Sequence, residues 1–344
     1  MTEIPIIADS ALPAHRLPIV LAPMAGGPST PELVAAVCEA GGFGYLPAGY
    51  LTADALAERI ARTRELTDRP FGVNLFVPEP QQRQDLSAYA ESLRPDAERL
   101  GAAVGELDWS DTDHWAAKLE LLAGGPVAVV SFTFGLPSAE EAERLHAAGS
   151  ALVGTVTTVP EARAAADRGM DALCVQGPDA GGHRGTHRVT DEPSTLPLAD
   201  LLAEVRAAVE LPLIAAGGIG TAAQIRELLA AGATAVQLGS LFLRCPEAGT
   251  NETHRKALTR RRDTVVTRAF SGRPARGLRN RFIDEHDADA PAAYPQVNQL
   301  TGPLRKAAAA AGDADSLHLW AGTNYRRAVD LPAADLVTAL AAEL

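Results

Sequence analysis

The chain has 344 residues, 47% of them hydrophobic, and a formal net charge of −12, which is enough length to bury a large core as one barrel or as two smaller domains. The acidic balance argues against nucleic acid or an anionic membrane surface as the main partner, because both repel such a protein. Cys38, Cys174 and Cys245 are too few and too far apart for a disulfide framework or a zinc site, and each reads as a buried thiol.

The opening stretch, MTEIPIIADSALPAHRLPIV, lacks a basic start followed by an apolar segment of signal-peptide length. No later segment reaches transmembrane length, so a cytoplasmic protein without a membrane partner is expected. From there a short apolar run, a Gly, Pro or polar break and an amphipathic stretch rich in Ala, Leu and Glu repeat along the chain. That alternation predicts parallel strands with helical crossovers. The runs are PIVLAP (18–23), FGYLPA (43–48), FGVNLFV (71–77), VAVVSFTF (127–134), ALVGTV (151–156), ALCVQG (172–177), LIAAGG (213–218) and AVQLGS (235–240). Eight strands close a (β/α)8 TIM barrel.

Helix starts are marked by Ser29-Thr30-Pro31-Glu32, by Ser138 with Glu141 three residues on, and by Thr221 with Gln224; each helix stops at a glycine. Two segments break the rhythm. Residues 78 to about 110 form an insertion after strand 3, over the end of the barrel where sites are built. Beyond about 245 the alternation is lost, which predicts a barrel over 1–245 and a C-terminal lid or small domain, with helices packed on the barrel mouth, over 246–344. That tail carries the basic stretch RAFSGRPARGLRNRF (268–282), read as a solvated face, a subunit contact or an anionic-substrate patch.

Strand ends of such a barrel converge on one mouth. There the sequence delivers Ala22-Pro23-Met24-Ala25-Gly26-Gly27, Asn74, Gln176, the Gly181-Gly182-His183 loop, Gly217-Gly218 and Gln237-Leu238-Gly239-Ser240. A lone Gly pair simply ends a strand; two glycine loops on neighbouring strands seven and eight make a cup of backbone N–H groups for a phosphate. Asn74, Gln176 and Gln237 offer donors and acceptors suited to a heterocycle edge, and the glycines let backbone approach a flat ring. Flavin mononucleotide (FMN) has both the edge and the phosphate. His183, in a loop read as free of helix or strand constraint and with a pKa able to sit near neutral, is the candidate general base. His187 is its rival, but a metal pair is discounted because HxxxH aligns ligands only on a helix. His146 reads as a helix-end or surface histidine. His15, His114, His254, His286 and His318 show no partner pattern.

These segments, together with VVSFTFG, FSGRPARGLRN and LWAGTNYRRA, resemble the nitronate monooxygenases, formerly called 2-nitropropane dioxygenases, over most of the chain. The resemblance implies a barrel holding FMN non-covalently. Ala22, Pro23, Met24 and Ala25 would line it, Asn74, Gln176, Gly181, Gly182, Gly217 and Gly218 would contact it, and Gln237, Leu238, Gly239 and Ser240 would complete the phosphate end. His183 matches the family's proposed base. It implies oxidation of a nitronate, or of a nitroalkane after loss of its α-proton, by O2 to a carbonyl compound and a nitrogen oxyanion. Asp179 stands where many relatives carry Glu before AGGH, and Trp320 and Tyr325 would either close over the flavin or serve as core aromatics. Two other readings are a flavin-dependent enoyl-thioester reductase using NAD(P)H and a non-catalytic flavin-binding protein. The tail and insertion would suit a homodimer.

Overall fold

The computed structural model describes residues 16–344 except 81 and 261, so His15 and the start of the chain lie outside the described residues. Every predicted apolar run forms a strand, one or two residues shorter at its ends in most cases: β1 (Ile19–Leu21), β2 (Phe43–Pro47), β3 (Gly72–Phe76), β4 (Val129–Thr133), β5 (Ala151–Val156) and β6 (Ala172–Gln176), then, after the short β7 (Gly182–His183), β8 (Leu213–Ala216) and β9 (Ala235–Leu238). All but β7 join in a closed parallel barrel, in the order β1-β2-β3-β4-β5-β6-β8-β9. Ile19 opposite Val236 closes the ring. The fold is a (β/α)8 TIM barrel.

The two-residue period of a strand divides its side chains between two cores. Val20, Phe43, Tyr45, Val129, Val153, Cys174 and Ile214 point inward and fill the barrel. Their neighbours, among them Ile19, Leu21, Leu46, Val73, Val130, Leu173 and Val236, point outward against the helices. Continuing the inward parity toward the C-terminal strand ends reaches Ala22, Asn74, Ser131, Thr155, Gln176, Gly218 and Gly239. The residues that form the barrel's plug therefore also determine which side chains face its mouth.

The helix signals act as expected. Thr30 caps Pro31–Glu39 through a bond from the Leu33 N–H, Thr221 caps Ala222–Ala230, and Ser138 forms a full capping box with Glu141. Cys38, Cys174 and Cys245 are buried free thiols whose pKa burial pushes up to about 12, so they are inert at neutral pH.

The insertion after β3 contributes helices Ser87–Ser92 and Arg94–Leu100. Leu86, Tyr89, Leu93 and Ala97 pack there with Phe270, Phe282, Val297, Leu300 and Leu304 of the C-terminal segment. That segment adds β10 (Thr264–Thr267) and β11 (Ala275–Leu278), and β11 pairs antiparallel with both β10 and β7. Helix Gln296–Ala311 follows, and the last helix, Ala333–Ala341, returns to pack beside Pro31–Glu39 on the outside of the barrel. The basic stretch is used within the chain. Arg268 pairs with Glu192 at 3.1 Å, Arg273 with Glu79 at 3.3 Å, Arg279 with Asp284 at 2.6 Å and Arg281 with Asp96 at 2.9 Å. Arg276 donates to the Pro178 carbonyl at 3.0 Å. Among the described residues no helix is long and apolar enough to cross a membrane.

Candidate active site

A cavity of about 510 Å³ lies over the C-terminal ends of the strands, roofed by the C-terminal segment. Each predicted site residue lines it: Ala22, Pro23, Met24, Ala25, Asn74, Gln176, Gly181, Gly182, His183, Gly217, Gly218, Gln237, Leu238, Gly239 and Ser240.

Hydrogen bonding separates their tasks. Buried Asn74 donates to Ser131 Oγ at 3.0 Å and Thr133 Oγ1 at 3.1 Å. Gln176 is largely committed to the chain: its Nε2 donates to the His183 carbonyl at 3.0 Å, and its Oε1 accepts from the Gly185 N–H at 2.8 Å and Arg184 Nε at 3.3 Å. The amide therefore holds the glycine-rich stretch in place, leaving a single N–H for anything in the cavity. Gln237 has only Cys174 Sγ, 3.4 Å away, as partner among the described residues. Buried Ser29 pins the first loop by donating to the Ala22 carbonyl and accepting from the Met24 N–H.

His183 is not in an unconstrained loop. It forms β7 with Gly182 and sits opposite Ala275 of β11, a pairing between segments some 90 residues apart in sequence that local patterns could not reveal. Its Nε2 lies 2.8 Å from Ser271 Oγ, and its ring is bordered by Phe134, Tyr294 and Trp320. Phe134 holds a left-handed backbone (φ 76°), strain of the kind that collects at sites, and carries the Arg273 guanidinium 4.2 Å over its ring. Burial, and then the charges of Arg273 and Arg305, lower the His183 pKa to about 3 rather than leaving it near neutral. The imidazole is therefore uncharged at pH 7 and able to accept a proton. His187 turns elsewhere, with Nε2 3.0 Å from the Thr155 carbonyl.

The two glycine loops lie on adjacent strands. Gly217 and Gly218 have φ of 108° and 71°, and the N–H groups of Gly218 and Ser240 have no partner among the described residues. The C-terminal segment ties these loops down: Gly322 N–H donates to Ser240 Oγ at 2.8 Å, Asn324 Nδ2 donates to the Gly218 carbonyl, and Thr323 N–H donates to the Asp179 carbonyl at 3.2 Å. Here Gly181 permits close backbone approach, since a Cβ on it would stand 2.3 Å from Gly322 N. Gly181→Ala is expected to destabilise the protein by ~1–3 kcal/mol through overpacking, whereas Gly124→Ala, with open space around its Cβ position, should not. Thermal melts of the two variants check this.

Several cavity residues escaped the sequence reading. Ser131, Thr133 and Thr155 share the inward parity of Asn74 and were legible from it. His254, Arg305, His318, Gly322 and Asn324 come from the C-terminal segment, whose position over the mouth has no local signature. Burial lowers the pKa of His254 to about 4 against a backbone bond to Trp320 that raises it. Burial first, then Arg305, His254 and His183, hold His318 well below the ordinary value. Trp320 lines the cavity, whereas Tyr325 is a core residue whose hydroxyl donates to the Arg262 carbonyl at 2.7 Å. His286 bonds Asp96 at 2.7 Å, and His146 bonds Asp171 at 2.8 Å near the surface.

A barrel with this mouth, a histidine and two open glycine loops around one cavity has the layout of an enzyme's active site, and comparison with known proteins gives the family. The profile of the nitronate monooxygenase family matches residues 12–343. The chain is 38% identical over 329 residues to a probable nitronate monooxygenase of Staphylococcus aureus, covering 92% of this chain and 91% of that one. A Staphylococcus saprophyticus protein of the same description is 38% identical over 323 residues, covering 90% of each chain. Among solved structures, the nitroalkane oxidase of Streptomyces ansochromogenes is 51% identical with a TM-score of 0.92, covering 96% of each chain. A FabK from Thermotoga maritima is 26% identical with a TM-score of 0.74, covering 96% of this chain and 93% of that one. The chain belongs to the nitronate monooxygenase family and is an oxidoreductase.

Proposed function

We propose that this enzyme oxidises alkyl nitronates, and nitroalkanes after removal of an α-proton, using non-covalently bound FMN and O2 and releasing a carbonyl compound and a nitrogen oxyanion. The observation that carries the reading is His183 lining the same cavity as two glycine-loop N–H groups that have no partner among the described residues. The donor set fits the cofactor. The N–H groups of Gly218 and Ser240, with Gly217 and Gly239, would hold its phosphate, while Ala22, Pro23, Met24, Ala25, Asn74, Gln237 and the free N–H of Gln176 would line its ring. When bound, FMN would supply the electron acceptor for the nitronate.

The chain's own residues handle the proton. Ser271 can donate to the Arg273 carbonyl 3.3 Å away while accepting from His183 Nε2–H at 2.8 Å, which leaves Nδ1 unprotonated to take the α-proton. Ser271→Ala removes that tautomer lock. It should slow turnover of neutral nitroalkanes more than that of preformed nitronates in paired steady-state assays. The barrel, 1–245, would bind cofactor and the segment 246–344 would exclude water as its lid. We further infer a cytoplasmic protein, with a homodimer as its assembly.

The test is an absorbance spectrum of the purified protein followed by oxygen uptake with propionate 3-nitronate. A yellow protein that releases FMN on denaturation and consumes oxygen without nicotinamide is expected. A colourless protein that takes up no added FMN overturns the reading. Oxidation of NAD(P)H dependent on an enoyl thioester would favour the reductase instead, and a yellow protein inert in both assays would favour a flavin-binding protein.

A further inference from the structure

The C-terminal segment builds a part of the cavity that neither the glycine loops nor His183 accounts for. Helix Gln296–Ala311 presents Asn298 and Arg305, helix Glu252–Ala257 presents His254, and the stretch before Trp320 presents His318. Among the described residues Arg305 is a cation without a counter-ion. Its Nη2 donates to the Asn298 carbonyl at 2.8 Å and to Asn298 Oδ1 at 2.7 Å, both neutral acceptors, and its Nε has no partner among the described residues. Burial works against its charge, and the groups that favour it, Tyr50 and Tyr294, are phenols rather than carboxylates. Two more buried nitrogens of cavity-lining residues lack partners among the described residues, Nε2 of His254, a residue 7% exposed, and Nδ1 of His318. A guanidinium shut in a cavity without an anion is costly, and so is each orphaned polar atom. One oxyanion would satisfy the guanidinium and accept from His318 Nδ1–H in the tautomer that carries its proton there. Neutral His254 spends its one ring proton on the Trp320 backbone and offers Nε2 only as an acceptor.

We propose that Arg305, supported by His318, forms an oxyanion site that grips the nitro oxygens of the substrate in the cavity that His183 also lines. This rests on the functional reading above and deepens it. When His183 Nδ1 accepts the α-proton, the electron pair of the C–H bond forms the C=N bond and the negative charge passes to the nitro oxygens beside the guanidinium. No other group is oxidised or reduced in that step. Asn298 is the positioning residue that aims the guanidinium. The site binds a preformed nitronate more tightly than the neutral nitroalkane, because only the former carries full charge before reaction.

Nitrate, planar and singly charged like the nitro group of a nitronate, is the probe. Calorimetric titration of the flavin-loaded protein with nitrate should show binding that Arg305→Met weakens by roughly tenfold or more, as for the loss of a charge-assisted contact. Arg305→Lys should keep part of it, and Arg144→Met, at an exposed ion pair on a barrel helix, should keep all of it. On the unmodified enzyme nitrate should inhibit nitronate turnover competitively, a readout that does not depend on any variant folding. Equal nitrate affinity in wild type and Arg305→Met, or no inhibition of the unmodified enzyme, overturns the proposal. Nitrate binding through Arg305 in a protein that does not oxidise nitronates would sink the functional reading and leave the anion site standing; normal oxidation with no nitrate effect would do the reverse.

Discussion

Replacing His183 by asparagine is expected to lower kcat/KM for a neutral nitroalkane by about 10²- to 10⁴-fold, the usual contribution of a positioned base. Turnover of the preformed nitronate, which has already lost the proton, should change far less. Asparagine keeps a polar side chain beside Ser271, so the pairing of β7 with β11 is undisturbed in this comparison. Equal losses on both substrates would remove His183 from the role of base. The pH profile gives an independent check. Because burial and the charges of Arg273 and Arg305 lower the His183 pKa to about 3, kcat/KM for the neutral substrate should not fall near the ordinary histidine value of about 6.5. On the acid side the limit should instead come from stability. His183, His254 and His318 all have lowered values in the fold, so the unfolded chain binds more protons below about 6.5. Their contribution is complete above that pH and declines as the pH drops through the folded values.

The second large effect is structural. Asp96, on the inserted helix, accepts from His286 at 2.7 Å and from Arg281 at 2.9 Å and also pairs with Arg99, while Ser316 accepts from both arginines. Burial pushes its carboxyl up, but the hydrogen bonds from His286, Arg99 and Arg281 outweigh this and hold it well below the usual carboxylate range. Asp96→Ala leaves those donors without their shared acceptor and should cost ~3 kcal/mol, the low end for a broken buried pair because both arginines reach solvent. Thermal unfolding at pH 7 measures it. Since the folded pKa is depressed, the wild-type advantage should be full above the unfolded value near 4 and vanish as pH falls through the folded one. A difference that stays constant into acid would mean that packing, not charge, holds the insertion to the C-terminal segment.

Much of the barrel was legible because each strand is a short apolar run closed by a Gly, Pro or polar break, and because inward parity carries Asn74, Gln176 and Gln237 from the plug to the mouth. Local pattern suffices for both. The function of Gln176 was not legible, since its partners Arg184 and Gly185 make bonds that depend on how the following stretch folds back. Nor were Ser271, His254, Arg305 and His318. Ser271 reaches His183, and the other three reach the cavity, through the antiparallel pairing of β11 with β7 and the packing of the C-terminal segment over the mouth, which are contacts between distant parts of the chain. The basic stretch was visible as charge, but only the fold distinguishes Arg273, 1% exposed against Phe134, from Arg279 at the surface.

The return of helix Ala333–Ala341 to the side of Pro31–Glu39 means that the chain departs from the cylinder after β9 and rejoins it at its starting seam. The roof is therefore moored at two points, like a bridge rather than a flap. Trimming the chain before Ala333 would strip the outer face of the first helix as well as loosen the roof, so activity lost on such trimming reports a damaged wall before it reports a missing door.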